Sequence, residues 1–178
     1  VWLATFYKDK NILVIATKLA VAQNFIKKVK TAMRSMPKWL MLPELVSANK
    51  QGVELSNGSS IKAVPTSDDA GRSEALSLLI VDEAAFIRNF DELWMGLYST
   101  LSTGGRAIVV STPNGVGDKY HELCVQAENG ENEFNFIKLM WDVHPERDDD
   151  WFANETKNMS KKQVAQELMC DFAASGDT

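Results

Sequence analysis

Residues 78–83, with the sequence LLIVDE, decide the fold class, because an unbroken apolar run there ends in two adjacent acidic residues. Apolar residues without alternation are typical of a strand that is buried on both faces of a parallel sheet. Unpaired carboxylates are costly inside such a strand, so Asp82 and Glu83 are expected at its C-terminal end, where α/β sheets bind ligands. The simpler alternative is a buried strand that leads into a helix, whose dipole favours acids at its N-terminus.

A second apolar run, RAIVVS at residues 106–111, predicts another buried strand. It ends in a polar, turn-forming segment, STPNG at residues 111–115. Between the two strands, residues 91–101 carry apolar side chains at helical spacing, and Asn89 with Glu92 matches a capping box. Strand, helix and strand predict a right-handed βαβ unit, which places both polar strand ends on one edge of the sheet.

Periodicity predicts elements on both sides of this unit. Residues 12–15 (ILVI) have the pattern of a third buried strand, and residues 18–36 have the spacing of a helix that packs on the sheet. Apolar residues alternate within residues 134–143, as in a strand with one wetter face. A final helix is predicted to begin at Ser160, which forms a capping box with Gln163.

Residues 53–64 read as a β-hairpin around an Asn-Gly turn. A three-residue loop with Gly58 in the left-handed conformation pairs Val53 with Ile61 and gives the hairpin one apolar face. We expect this hairpin to be an insertion on the edge of the sheet.

The charge of the chain limits the kinds of ligand that it can bind by electrostatics. A net charge of −5 argues against a surface that holds DNA phosphates by electrostatics alone. The basic residues concentrate along the predicted helix 18–36 and just after it, at Lys27, Lys28, Lys30, Arg34 and Lys38. A solvated helix face and a DNA track both remain open as interpretations of this cluster. The sequence predicts neither a membrane-spanning segment nor a structural zinc site.

LLIVDEAAFI at residues 78–87, together with STPNG downstream, resembles the ATPase domain of the large terminase subunit, the motor that packs DNA into tailed-phage and herpesvirus capsids. FDELW at residues 90–94 and SGDT at residues 175–178 fit the same pattern. The resemblance implies an α/β fold with three layers, of the P-loop NTPase (RecA/ASCE) type, with a mostly parallel sheet and the β-hairpin as an insertion. It also implies ATP and Mg²⁺ as cofactors.

By this resemblance the LLIVDE strand is a Walker B segment, in which Asp82 holds Mg²⁺ and Glu83 polarises the water that attacks the γ-phosphate. The segment after the second strand contains the coupling motif, which links hydrolysis to domain movement. That motif and the residue after it are assigned to the nucleotide site: Ser111, Thr112, Pro113 and Asn114.

Residues 65–73 predict a polar loop directly before the Walker B strand. Arg72 lies where terminases commonly carry an arginine that is considered a finger acting on the ATP of the neighbouring subunit. A guanidinium suits that role because its planar fork neutralises charge spread over phosphate oxygens. The alternative is a surface arginine that pairs with Asp68, Asp69 or Glu74.

The sequence departs from the family pattern in one respect. A P-loop requires G-x-x-x-x-G-K-[ST], and this chain has no Gly-Lys dipeptide. Residues 1–10 read instead as the later turns of a helix that follows a P-loop. We therefore expect residues 1–178 to be a single truncated ATPase domain, with residues 173–178 as a linker towards a nuclease domain. Such a fragment is expected to bind ATP poorly and to hydrolyse little of it.

The resemblance further implies double-stranded viral DNA, the portal protein and the small terminase subunit as partners, and a homo-oligomeric ring as the working assembly. It implies no membrane association, and a location in the host cytoplasm with transient attachment to the procapsid portal. Two other interpretations of the residues stay open. A DEAD-like helicase or translocase motor has strand ends of this type, and a non-catalytic assembly module would keep the fold after its nucleotide site had decayed.

Overall fold

The computed structural model of the chain describes residues 1–66, 75–101 and 104–176. The chain divides into two compact units, Val1–Val110 and Ser111–Thr178. The first unit contains three α-helices: α1 (Trp2–Phe6), α2 (Leu19–Ser35) and α3 (Phe90–Tyr98). Its six strands are β1 (Asn11–Ala16), β2 (Leu45–Ala48), β3 (Gly52–Leu55), β4 (Ser60–Pro65), β5 (Leu78–Asp82) and β6 (Arg106–Val110).

The six strands form one sheet in the order β2-β3-β4-β1-β5-β6. Strands β4, β1, β5 and β6 run parallel to one another, whereas β2 pairs antiparallel with β3 and β3 pairs antiparallel with β4. The predicted α/β fold with a mostly parallel sheet is therefore confirmed.

Strand β1 lies at the centre of the sheet, between β4 and β5. Its residues 12–16 are all buried, as the continuous apolar run predicted. Helix α2 packs on the strands through one apolar stripe, formed by Ala22, Ile26, Val29 and Met33. The predicted strand at residues 12–15 and the predicted helix at residues 18–36 are both confirmed.

The predicted hairpin forms with the expected register. Val53 pairs with Ile61, and Gly58 has φ +81°, in the left-handed region where glycine avoids the clash of a Cβ atom. The Asn57 side chain ties this turn to the end of α1, because its Nδ2 donates to the carbonyl oxygens of Ala4 at 2.8 Å and Tyr7 at 3.1 Å. We expected the hairpin to lie on the edge of the sheet, and this expectation is wrong. Strand β4 also pairs in parallel with β1 and lies in the interior of the sheet.

Strand β6 corrects a second expectation. Its apolar run predicted burial on both faces, but it ends the strand order of the sheet, and Ile108 and Val110 are 52% and 48% exposed. Helix α3 is followed by a 3-10 turn at Ser99–Leu101. The capping box at Asn89 is wrong: this residue has φ +55° and its side chain makes no capping bond. N-caps normally have extended backbone, from which the side chain reaches the free N–H groups of the first turn.

The second unit is made of short helices: α4 (Lys119–Glu128), α5 (Asp149–Glu155), α6 (Lys161–Glu167) and α7 (Phe172–Ser175). Side-chain caps begin each of them, at Asp118, Asp148, Ser160 and Asp171. The capping box of Ser160 with Gln163 is confirmed. Residues 173–178, interpreted as a linker, include the end of α7.

The predicted strand within residues 134–143 is wrong. This segment is irregular and ends in a 3-10 helix, Trp141–Val143. Ile137 and Leu139 are exposed, and the Trp141 ring packs against Phe152 with centroids 4.6 Å apart. Alternating apolar residues form a strand only where a neighbouring strand takes up their backbone hydrogen bonds.

No helix within residues 1–66, 75–101 and 104–176 combines the length and the apolar character needed to cross a lipid bilayer.

Candidate active site

Asp82 is the last residue of β5, and it is half-buried. The parallel register places it opposite Val110, the last residue of β6. The two strands of the predicted βαβ unit therefore end at the same edge of the sheet, which is the edge where open α/β folds bind ligands. A carboxylate at this position is a hard oxygen ligand of the kind that Mg²⁺ prefers.

Glu83 follows Asp82 in a left-handed backbone conformation, with φ +53° and ψ +46°. This conformation costs a residue with a side chain about 1–2 kcal/mol relative to the right-handed one. Backbone strain of this sort concentrates at functional sites. The bend places the two carboxylates in different surroundings: Asp82 is half-buried at the end of the strand, and Glu83 is exposed.

The residues after Glu83 hold this bend in place. Ala84 and Ala85 are buried in a 3-10 turn, and the N–H of Phe86 donates to the Glu83 carbonyl oxygen at 2.9 Å. Ile87 is buried directly after the turn. The burial of these small residues leaves little room for the turn to rearrange.

The segment that carries the predicted coupling motif begins at Ser111, the residue after Val110 in the chain. Ser111 and Thr112 are half-buried, Pro113 is buried and Asn114 is exposed. The turn continues to Gly115, whose φ of +87° lies in the left-handed region that favours glycine.

Two side chains of the second unit hold this segment, and neither was predicted from the sequence. The Tyr120 hydroxyl donates to the Ser111 carbonyl oxygen at 3.1 Å. The Gly115 N–H donates to Ser175 Oγ at 3.0 Å, and that buried hydroxyl donates in turn to the Phe172 carbonyl oxygen at 2.9 Å. Tyr120 and Ser175 lie in helices, and nothing in their sequence context indicates which backbone atoms their hydroxyl groups contact.

Burial raises the pKa of the Tyr120 phenol well above its usual value, and the neighbouring Cys124 acts in the same direction. Burial likewise raises the pKa of the Cys124 thiol. Both groups are therefore neutral near pH 7, and the Tyr120 hydroxyl keeps the proton that it donates to Ser111. This contact fixes the first residue of the coupling segment by a hydrogen bond that does not titrate in the physiological range.

The donor set fits a magnesium ion of the nucleotide-bound kind. Within the described residues, no three His, Cys, Asp or Glu side chains are grouped as a metal-binding cluster. Mg²⁺ in nucleotide sites needs only one or two carboxylates, because phosphate oxygens and water supply its other ligands. Asp82 alone satisfies that requirement. Arg72 and its possible partners Asp68, Asp69 and Glu74 lie outside the described residues.

Known proteins of one kind resemble this chain in sequence and fold. The family model described as "Terminase large subunit, T4likevirus-type, N-terminal" matches residues 1–178. The large terminase ATPase domain of Thermus phage P74-26 superimposes with a TM-score of 0.74 at 19% identity, covering 96% of this chain and 80% of that one.

Two longer proteins share the fold. The large terminase of a second, thermophilic bacteriophage, in complex with ATP-gamma-S, gives a TM-score of 0.73 at 9% identity, covering 97% of this chain and 42% of that one. The large terminase of bacteriophage HK97 gives a TM-score of 0.59 at 16% identity, covering 89% of this chain and 35% of that one. The resemblance identified from the LLIVDE and STPNG segments is confirmed, and the chain belongs to the family of large terminase subunits of the T4-like type, as part of their N-terminal region.

Proposed function

We propose that this chain is part of the ATP-hydrolysing motor that drives viral DNA into a capsid. The observation that carries the proposal is the end of β5, where a half-buried Asp82 is followed by an exposed Glu83 in a strained backbone conformation. Membership of the large terminase family supports this function over that of a helicase motor. A decayed nucleotide site would have no reason to retain both acids and the strained bend.

In this proposal the two acids have different tasks. Asp82 contributes a carboxylate to Mg²⁺, whose charge offsets that of the β- and γ-phosphates. Glu83 orients the attacking water and accepts a hydrogen bond from its O–H group, which increases the electron density on the attacking oxygen. The left-handed bend suits this division, because it lets neighbouring residues of one chain face different surroundings.

The phosphate-binding loop is proposed to come from residues other than the 178 of this chain. The chain contains no G-x-x-x-x-G-K-[ST] sequence, and it matches only 80% of the P74-26 ATPase domain, so part of that domain has no counterpart here. ATP binding by a large terminase is supported by the structures of the thermophilic bacteriophage protein, which were determined with ADP and with ATP-gamma-S. We propose ATP and Mg²⁺ as the cofactors of the complete site.

Ser111, Thr112, Pro113 and Asn114 are proposed to respond to the γ-phosphate and to pass its loss on to the rest of the protein. Support comes from the hydrogen bonds that tie this segment to α4 through Tyr120 and to α7 through Ser175. A shift of the segment would therefore pull on two helices at once. Double-stranded viral DNA, the portal protein and the small terminase subunit are the proposed partners, in a homo-oligomeric ring at the procapsid portal in the host cytoplasm.

The test compares DNA-stimulated ATP hydrolysis in a protein that joins residues 1–178 to a phosphate-binding segment. Glu83→Gln preserves size and hydrogen bonding but removes the charge, so we expect kcat to fall by about 100-fold or more while ATP binding is kept. Glu92→Gln removes an exposed acid of α3 and is the matched control, with an unchanged rate expected. Equal rates for wild type and Glu83→Gln would end the proposal.

Arg72 is proposed as a finger that acts on the ATP of the neighbouring subunit. Its position directly before the Walker B strand and the chemistry of its guanidinium support this role. In the same assay, Arg72→Ala should lower hydrolysis only at protein concentrations where rings form. A variant with full activity in the assembled ring would remove Arg72 from the mechanism.

A further inference from the structure

The positive charge of the chain is concentrated in one segment. Residues 10–43 contain seven basic residues and no acidic residue, although the net charge of the whole chain is −5. Six of the seven lie on α2 or within a few residues of its ends. Such segregation is not required for packing, because α2 attaches to the sheet through its apolar stripe.

The exposed charges of α2 lie outside its buried stripe, which Ala22, Ile26, Val29 and Met33 form. Lys27 and Arg34 are on one flank of the helix, and Lys28 is on the other flank, beside a pocket that Leu78 and Ile80 of the sheet also line. Lys27 and Arg34 are seven residues apart, so they lie on one stripe, separated by about 10 Å along the helix axis. Lys38 follows just beyond the C-terminal end of the helix and is also exposed.

These exposed charges are not offset within the described part of the chain, where no ion pair involves Lys27, Lys28 or Arg34. Lys30 differs from them, since its Nζ donates to the Asn49 carbonyl oxygen at 2.6 Å and so fixes the helix to the segment between β2 and β3. Lys27, Lys28, Arg34 and Lys38 form what we call the α2 basic face.

We propose that the α2 basic face is the surface on which this chain binds duplex DNA, through phosphates. The inference rests on the proposed packaging function, which requires DNA contact but does not say where on the chain it lies. Unpaired cations on a rigid helix bind a polyanion by releasing its condensed counterions. Phosphate contacts carry no sequence information, which suits a motor that must move any sequence.

A second copy of the chain is the competing partner, because residues 111–178 contain fourteen acidic and six basic residues. Several of those acids are already engaged, however. Asp118, Asp148 and Asp171 accept backbone N–H bonds as helix caps, and Glu122 pairs with Lys119 at 2.9 Å. The phosphates of duplex DNA form a regular array of negative charges, and none of them is bonded within the protein. Duplex DNA therefore fits the α2 basic face better than a second copy of the chain does.

The experiment measures binding of the 178-residue chain to a fluorescently labelled duplex of mixed sequence, by anisotropy, without nucleotide, between about 50 and 200 mM salt. Two variants each remove two charges from the face: Lys27→Gln with Arg34→Gln, and Lys28→Gln with Lys38→Gln. The matched control, Lys138→Gln with Lys157→Gln, removes two charges at exposed positions of the second unit. Circular dichroism checks that every variant is folded.

We expect each α2 variant to lower the affinity by roughly tenfold or more and to reduce the slope of log affinity against log salt by about 2, one for each lost phosphate contact. The control should change the slope much less. Equal effects of the control, or no binding by wild type at the lowest salt, would overturn the inference. It would also be overturned if the α2 variants kept their DNA affinity but lost self-association in sedimentation velocity.

Because the binding assay contains no ATP, its outcome is independent of the test of Glu83. Loss of hydrolysis in Glu83→Gln together with unaffected DNA binding by the α2 variants would leave the motor function in place and reject only this surface. The reverse result would show a DNA-binding domain whose proposed catalytic acids do not act.

Discussion

The two units of the chain are stabilised in different ways. The first unit contains an apolar core cluster in which β1, β3 and β4 meet α2, and the residues of this cluster are buried. In the described part of residues 111–176, the buried apolar side chains are Pro113, Leu123, Cys124, Ala165 and Leu168. Helix caps and ring contacts supply much of the local order there. Burial contributes more free energy per residue than such contacts do, so mutations should have unequal effects in the two units.

The largest expected effect is in β5. Leu79, the second residue of this strand, is completely buried, and Leu79→Ala should lower the free energy of unfolding by about 2–5 kcal/mol. The same type of truncation in the neighbouring strand, Ile108→Ala, removes a side chain that is half exposed, and should cost less than about 1 kcal/mol. Urea denaturation followed by circular dichroism measures both. Equal losses would show that the outer face of β6 is covered in solution.

This pair of strands also shows what the sequence could and could not predict. LLIVD and RAIVV have nearly the same apolar pattern, and each was correctly predicted to be a strand. Their burial differs because β5 has a neighbour on each side and β6 has only β5 within the described residues. The number of neighbours depends on the whole fold, so no pattern within a strand can reveal it.

Polar contacts inside the first unit should have the next largest effect. Asn57→Ala removes the donations to Ala4 and Tyr7, and also the acceptor that receives the Ser59 N–H at 3.1 Å. Part-buried carbonyl groups left without partners should lower the free energy of unfolding by about 1–3 kcal/mol. Asn129→Ala, at an exposed position after α4, is the control and should change it by less than about 0.5 kcal/mol. A similar small change in both variants would mean that the turn at Asn57 is held by its backbone alone.

The position of the acidic pair could be predicted from residue type, whereas its catalytic role stays a prediction. Asp82 and Glu83 were expected at the end of a strand buried on both faces, and they follow Val81 at the end of β5, because unpaired carboxylates are costly inside a strand. Only Leu79 and Val81 of this strand are buried, and Leu78 and Ile80 are half-buried, so the expected burial on both faces is wrong. The left-handed backbone of Glu83 was not expected, since glutamate has no preference for that region. Tyr120 and Ser175 were missed for another reason: their hydroxyl groups bond to backbone atoms of Ser111 and Gly115, and no residue pattern marks such a contact.

The second unit was predicted less well, because its order comes from contacts that have no periodicity. The alternation at residues 137–143 matched a strand, yet the Trp141 ring packs against Phe152 and stacks with Trp151 at a centroid distance of 6.1 Å. The helix cap at Ser160, in contrast, was identified correctly from the sequence. Hydrogen bonds between residues three apart follow a sequence pattern and can be predicted, whereas ring packing follows no such pattern.

The smallest expected effect is at Tyr120, and its dependence on pH distinguishes it. Tyr120→Phe removes one hydrogen bond to Ser111 and should cost about 1 kcal/mol near pH 7. Because burial raises the pKa of the folded-state phenol, the folded protein keeps this proton when the unfolded chain begins to lose it, near pH 10. The wild-type advantage is therefore fully present below about pH 10 and is lost as the pH rises further.

Hydrogen exchange of the α4 amides, compared between wild type and Tyr120→Phe, shows whether the Tyr120 hydrogen bond stabilises the second unit. Urea denaturation at several pH values gives the size of this stabilisation. Wild type should lose stability between about pH 10 and 11 more steeply than the variant, which has no phenol to ionise at this position. Parallel pH profiles would mean that the phenol is already accessible in the folded protein. The coupling segment would then be held by Gly115 and Ser175 rather than by Tyr120.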